Sequence, residues 1–264
     1  MIRVTSSDGT PIAVDQRGSG PALVVVDGAL CSRTFGPSTK LAAALVSQFT
    51  VYTYDRRGRG DSGDTSPYST AREVDDLAAV IRHAGGTATL VGLSSGAALA
   101  LEAAASRLPL DAVVAYEPPY VNFDGTRGEA DHLAALRERL QHGDRGSAVS
   151  YFMKDMVGVP GFVVIVMRLM PWMWSKLKSV AHTLPYDAAV MKGFRVPRER
   201  LSLIRVPTLV MHGSKTDARL NGGADAVANA VPQATHRELA GQRHDVNADV
   251  LAAAVVEFVS SLKR

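Results

Sequence analysis

Apolar positions recur along this chain in two rhythms. Short continuous runs rich in Val, Ile and Tyr have the length and β-branched content of buried strands: ALVVVD at 22–27, FTVYTY at 49–54, TATLVGL at 87–93, DAVVAY at 111–116 and PTLVMH at 207–212. Between them, apolar residues fall three and four apart. The segment 41–48 reads as a helix, as does 70–84, where Val74, Leu77, Val80 and Ile81 share a face, and the Ala-rich 95–106. Residues 2–6 and 11–16 alternate around Asp8-Gly9-Thr10, a hairpin signal. The chain closes with a helix near 220–230, a strand near 234–239 and a helix near 247–262.

Unbroken apolar strands separated by helices predict a mostly parallel sheet covered on both faces, with the hairpin as an antiparallel edge. The rhythm breaks between about 120 and 200, where helical patterns continue without a convincing strand. We read residues 1–119 and 197–264 as one α/β core and 120–196 as a helical cap inserted in it. With 264 residues, a core of this size needs no covalent staple. Cys31 is the single cysteine, so an internal disulfide and a cysteine-based metal cluster are both excluded.

Charge changes the picture little. Twenty-nine basic against 26 acidic residues is a mixed surface, without the gathered basic face that nucleic acid needs. The densest group, Arg56, Arg57 and Arg59, reads as a solvated and partly paired loop. The longest apolar run, 156–167, is broken by Pro160 and Gly161 and followed by Arg168, which is too short and too interrupted to span a bilayer. The first residues lack the apolar core of a secretory signal. The expectation is a cytoplasmic protein without stable membrane anchoring.

Gly92-Leu93-Ser94-Ser95-Gly96 carries the clearest chemistry. A G-x-S-x-G between a strand and a helix is the setting of a nucleophile elbow. The sharp turn exposes the Ser94 hydroxyl, the small residues let strand and helix pass closely, and the helix N-terminus aims amides at a developing oxyanion. Such a serine needs a base. Of the seven histidines, His244 lies in the loop between the last strand and the last helix. His83, His132, His142 and His236 sit in surface-type patterns. His212, ending a strand, reads as a packing or hydrogen-bonding residue. His182, in the insertion, reads as structural or as facing substrate. No H-E-x-x-H, Cys cluster or phosphate-binding glycine loop is present, so the expectation is chemistry without metal or cofactor.

From about residue 10 onward the chain resembles the α/β-hydrolases, on VVVDGAL and YDRRGRGDS after successive strands, the elbow, and a late histidine. S-S-G-A at the elbow, Y-E-P-P after the next strand and G-Q-x-H near the end resemble a group of bacterial members. They are distantly similar to the fungal lactone hydrolases that open zearalenone. The resemblance implies an α/β-hydrolase fold with His244 as base. It implies an oxyanion hole from the Ser95 amide and one in Asp27-Gly28-Ala29, assigned to Ala29 with Gly28 as the neighbouring choice. Asp27 stands where the family usually has His, and Asp61 falls in a turn that is structural in the family.

The acid of the triad stays open between two carboxylates. Most members place it in a G-x-x-D turn after the penultimate strand. Here that turn is Gly213-Ser214-Lys215-Thr216-Asp217, with Thr at the acid position and Asp217 one residue late. Glu117, directly after the strand that follows the elbow helix, matches the Glu of the lactone hydrolases and is favoured. The Met- and aromatic-rich insertion makes Trp172, Trp174, Met153 and His182 candidate substrate contacts, for a small apolar ester or lactone. C–C hydrolysis, thioester hydrolysis, perhydrolysis and non-catalytic ligand binding on the same scaffold are the alternatives.

Overall fold

The computed structural model describes residues 1–122 and 131–262, so 123–130 of the expected insertion lie outside the described residues. Its strands are β1 (Ile2–Thr5), β2 (Pro11–Arg17), β3 (Ala22–Val26), β4 (Thr50–Tyr54), β5 (Ala88–Leu93), β6 (Leu110–Tyr116), β7 (Thr208–Gly213) and β8 (Ala234–Leu239). They form one sheet in the order β1-β2-β4-β3-β5-β6-β7-β8. β1 and β2 pair antiparallel, as does β2 with β4, and every other pairing is parallel. The expected antiparallel edge is therefore present.

Alternation along the strands feeds two cores. Val24, Val26, Leu90, Val113 and Val210 point to one face, where they meet Val74, Leu77, Ala97 and Leu101. Leu23, Val25, Val91, Val114 and Met211 point to the other, against Leu41, Leu45, Leu251, Val255 and Phe258. The helices involved include α1 (Ser38–Leu45), α2 (Thr70–His83), α3 (Ser95–Ala105) and the last helix, Ala248–Ser261. The helix expected over 41–48 starts and stops earlier than its pattern suggests. Pro37 precedes it, and the Gln48 and Phe49 amides both close onto the Leu45 carbonyl, ending it before β4.

Between β6 and β7 come α4 (His132–Gln141), α5 (Arg145–Tyr151), α6 (Gly161–Arg168), α7 (Pro171–Ser179), α8 (Leu184–Val190) and α9 (Arg198–Leu201), followed after β7 by α10 (Ala218–Ala230) and, last, α11 (Ala248–Ser261). The segment between β6 and β7 has its own apolar cluster, with Leu136, Val149, Phe152, Met156, Trp174 and Leu184, and Leu30 of the core joins it. Its greasiest stretch is only half buried. Phe162, Ile165, Leu169 and Trp172 are 69%, 60%, 76% and 61% exposed, a contiguous outward apolar face on α6 and the start of α7. No helix among the described residues is long and apolar enough to cross a membrane.

Candidate active site

The parallel strands β3, β5, β6 and β7 lie side by side, so the loops at their C-terminal ends meet, the usual place for a site in such a sheet. Ser94 stands between β5 and α3 with φ 54° and ψ −124°, a backbone conformation that few non-glycine residues adopt. The turn is held because the Ser94 amide donates to the Tyr116 carbonyl at 2.9 Å. It also needs its glycines: a Cβ on Gly92 would press on the backbone of Gly96 and Ala97, and one on Gly96 would run into the Val26 and Asp27 carbonyls. A Cβ on Gly28 would lie 3.2 Å from Ser94 Cβ, so the loop after β3 faces the serine directly.

Glu117, at the end of β6, also has positive φ (47°) and is fully buried. Its Oε2 is 2.6 Å from His244 Nδ1. Its Oε1 accepts the Gly213 amide at 2.9 Å and the Thr216 hydroxyl at 2.6 Å. Burial alone would raise its pKa, but the hydrogen bonds from His244, Thr216 and Gly213 outweigh it and hold the carboxyl below its ordinary value. The histidine loop is stitched in place. Tyr116 Oη donates to the Arg243 carbonyl at 2.6 Å, the Lys215 amide donates to Gln242 O at 2.9 Å, and Asn247 caps α11 just beyond. Among the described residues Ser94 Oγ makes no hydrogen bond to His244, a contact that often tightens only around substrate.

Of the two carboxylates left open by the sequence, Glu117 is the one beside His244. Asp217 caps α10, accepting the Arg219 amide and side chain at 2.8 Å, with its own side chain 49% exposed. Thr216, at the position where an acid was expected, instead donates to Glu117.

The arginine cluster corrects the sequence reading. Arg56, Arg57 and Arg59 are 2%, 0% and 1% exposed, because each reaches carboxylates far along the chain. Arg57 grips Asp76 with two 2.7 Å bonds. Arg56 forks onto Glu73 at 2.7 and 2.8 Å and turns its remaining nitrogen to Asp187 at 2.8 Å. Arg59 bonds the other Asp187 oxygen at 2.6 Å, Thr183 Oγ1 at 3.1 Å and the Gly28 carbonyl at 2.7 Å. Ser95 Oγ donates to Asp187 as well, at 2.8 Å. Asp187 belongs to α8, so one buried carboxylate ties the segment between β6 and β7 to the loop after β4 and to Ser95, the residue after Ser94. Arg59 also fixes the Gly28–Ala29 peptide, because gripping its carbonyl sets the direction of the Ala29 amide on the opposite side.

Asp61 pairs with Arg33 at the surface end of the same turn, a structural use. Asp27, next to Gly28, is 2% exposed, and burial pushes its carboxyl up to about 6. The expected substrate contacts divide. Met153 packs partly buried against the cluster that also takes Ala29. His182 sits half-buried in the turn before α8, and burial lowers its pKa. Trp174, at 8% exposure, is core of the insertion itself, with Arg168 over its ring, and Trp172 points outward. Their helix places the two rings on opposite sides, which composition could not tell. Far along the sheet, His212, His236 and Asp225 come together, a grouping that sequence spacing did not reveal.

The alpha/beta hydrolase family model matches residues 18–258. An alpha/beta hydrolase from Sphaerobacter thermophilus DSM 20745 superposes with a TM-score of 0.90 at 47% identity, over 97% of this chain and 99% of that one. The enol-lactonase from Burkholderia xenovorans LB400 gives 0.70 at 18% identity, over 98% and 100%. An esterase from Rhodococcus sp. ECU1013 gives 0.69 at 21%, over 99% and 98%. No curated protein matches the chain. With a sheet order, an elbow and a match along nearly its whole length in agreement, the chain belongs to the alpha/beta hydrolase family.

Proposed function

We propose that this chain is a serine hydrolase that cleaves a carboxylic ester or lactone of a small apolar substrate through an acyl-enzyme on Ser94. The observation that carries this reading is the 2.6 Å contact of buried Glu117 with His244, on loops bordering a serine in the strained elbow conformation. Ser94 Oγ attacks the acyl carbonyl while His244 Nε2 takes its proton. Glu117 accepts from Nδ1–H, which fixes the tautomer and stabilises the imidazolium. The Ser95 and Ala29 amides hold the oxyanion. His244 then protonates the leaving alkoxide, and a water activated by the same histidine releases the acid.

The substrate class rests on the apolar surroundings, Met153 and Ala29 on one cluster, and on fold neighbours described as an esterase and an enol-lactonase. The test is hydrolysis of short and medium p-nitrophenyl esters and of a lactone panel, with pre-steady-state mixing. The expected result is a burst of p-nitrophenol near one equivalent, absent in Ser94→Ala. Turnover that survives Ser94→Ala would overturn the reading.

A further inference from the structure

Beyond β6 from the elbow, two strands and a helix converge three donor atoms. In the parallel pairing of β7 with β8, Val210 stands opposite His236 and His212 opposite Glu238. His212 and His236 are thus one diagonal step apart on the sheet face that α10 covers. His212 Nδ1 is 3.1 Å from His236 Nε2, and His236 Nε2 is 3.3 Å from Asp225 Oδ1 on α10. All three donor atoms lie within 4.8 Å of one another.

The other nitrogen of His212, Nε2, is 3.4 Å from Glu238 Oε2. With Nε2–H donating to Glu238 Oε2, the Nδ1 lone pair faces His236. A carboxylate behind an imidazole in this way orients metal-ligating histidines in many sites. Three donors around a tetrahedral ion with bonds of about 2.0–2.1 Å sit roughly 3.3 Å apart, close to two of the separations here. Asp225, 55% exposed, is free to swing in and close the third. His236 needs only a tautomer change, its proton moving from Nε2 to Nδ1.

We propose that His212, His236 and Asp225 form a divalent transition-metal site, with Glu238 orienting His212, whose ion clamps edge strand β8 to β7 and α10. Two imidazoles and one carboxylate suit Zn²⁺, Ni²⁺ or Co²⁺ over the all-oxygen preference of Mg²⁺ and Ca²⁺. This inference stands independently of the proposed ester chemistry.

The test uses the full chain, free of any affinity tag and stripped with a chelator, titrated with Zn²⁺ alone against a chromogenic competitor. One equivalent should bind, and excess Zn²⁺ should raise the melting temperature. His236→Gln and Asp225→Asn, each checked by circular dichroism, should weaken binding at least as much as the roughly 10–100-fold that losing an outer partner costs, and should abolish the thermal shift. Glu238→Gln should fall within that range, and His83→Gln should change nothing. Wild-type affinity in His236→Gln and Asp225→Asn, or no binding by wild type below millimolar Zn²⁺, would overturn the site.

Discussion

Asp187→Asn tests whether the inserted segment is electrostatically built into the core. The substitution keeps volume, so it opens no cavity. It removes the one negative charge shared by Arg56 and Arg59, in a carboxylate that is 0% exposed. Burial alone would raise the Asp187 pKa, but the two guanidiniums hold it below its ordinary value, so it is ionised in the native protein. After the change Arg56 still has Glu73. Arg59 keeps only neutral hydrogen-bond partners, Thr183, Gly28 O and Cys31 O. One buried positive charge is then uncompensated, which costs about 3–5 kcal/mol, against a total stability on the order of 5–15 kcal/mol. For a chain of this size that lowers the melting temperature by roughly 6–20 °C.

Urea unfolding followed by fluorescence and circular dichroism measures this, with an unchanged m-value showing that the same surface unfolds. A second readout separates positioning from stability. Arg59 orients the Gly28–Ala29 peptide by holding Gly28 O, so loosening Arg59 should weaken the proposed Ala29 oxyanion donor without deleting it. Full loss of one donor costs ~10²–10³ in kcat, so kcat in Asp187→Asn should fall about 10- to 100-fold at nearly constant KM. In Arg59→Met/Asp187→Leu the unpaired charge is gone, so stability should return in part, while kcat stays low because Gly28 O has lost its donor. A single variant within about 1 kcal/mol of wild type would refute the reasoning, since no uncompensated charge would then have been created.

Four further outcomes are expected. Glu117→Gln should lower kcat by ~10³–10⁴, because an amide no longer selects the productive His244 tautomer, while Asp217→Asn stays within a few-fold of wild type; steady-state ester hydrolysis distinguishes them. Thr216→Val removes a donor from buried Glu117 and should cost roughly 1.5–3 kcal/mol of stability, read from urea midpoints. Asp27 ionises less readily folded than unfolded, its pKa rising from 3.8 to about 6, so its contribution is complete below pH 4 and lost as pH climbs through 6. Relative to wild type, Asp27→Asn should therefore gain about 2.4 kcal/mol between pH 4 and pH 8, and a pH-independent difference between the two unfolding curves would contradict this. Replacing Phe162, Ile165 and Leu169 together by Ser should move stability by little per site, about 0.5 kcal/mol or less, because all three are more than half exposed; thermal melts check it.

What the sequence made legible was local. The elbow needs five consecutive residues between a strand and a helix, and those neighbours are adjacent in the chain, so motif and periodicity sufficed. His244 was singled out for a similar reason, as the histidine in a loop between two clear elements, and the fold sets it beside Glu117. The arginines were misread because their partners are remote. Arg56 meets Glu73 17 residues on and Asp187 131 residues on, and a Gly-rich turn crowded with cations looks solvated until the fold brings those carboxylates to it. Trp174 and Trp172 differ by two positions, yet one is core and the other exposed, because only the packing of α7 decides which side is inward. His212 and His236 were visible only as separate strand residues. Their meeting depends on the β7–β8 register, which no local pattern encodes.

The placement of Glu117, the proposed acid, shows how the two kinds of information combine. The turn after β7 carries Thr where the family resemblance leads one to expect a carboxylate, and in isolation that reads as a defect. In the folded protein the turn contributes donors in place of the acid: the Gly213 amide and the Thr216 hydroxyl both serve Glu117 Oε1, leaving Oε2 to His244. A carboxylate at the end of β6 is one strand nearer the serine in sheet order and one strand further from the histidine loop. The longer glutamate side chain spans that gap, and its positive φ aims it across β7. Buried this deeply, it would be driven toward its neutral form were the three donors absent. A Thr at 216 and a Glu at 117 are thus two halves of one arrangement, and changing either alone should impair the same histidine.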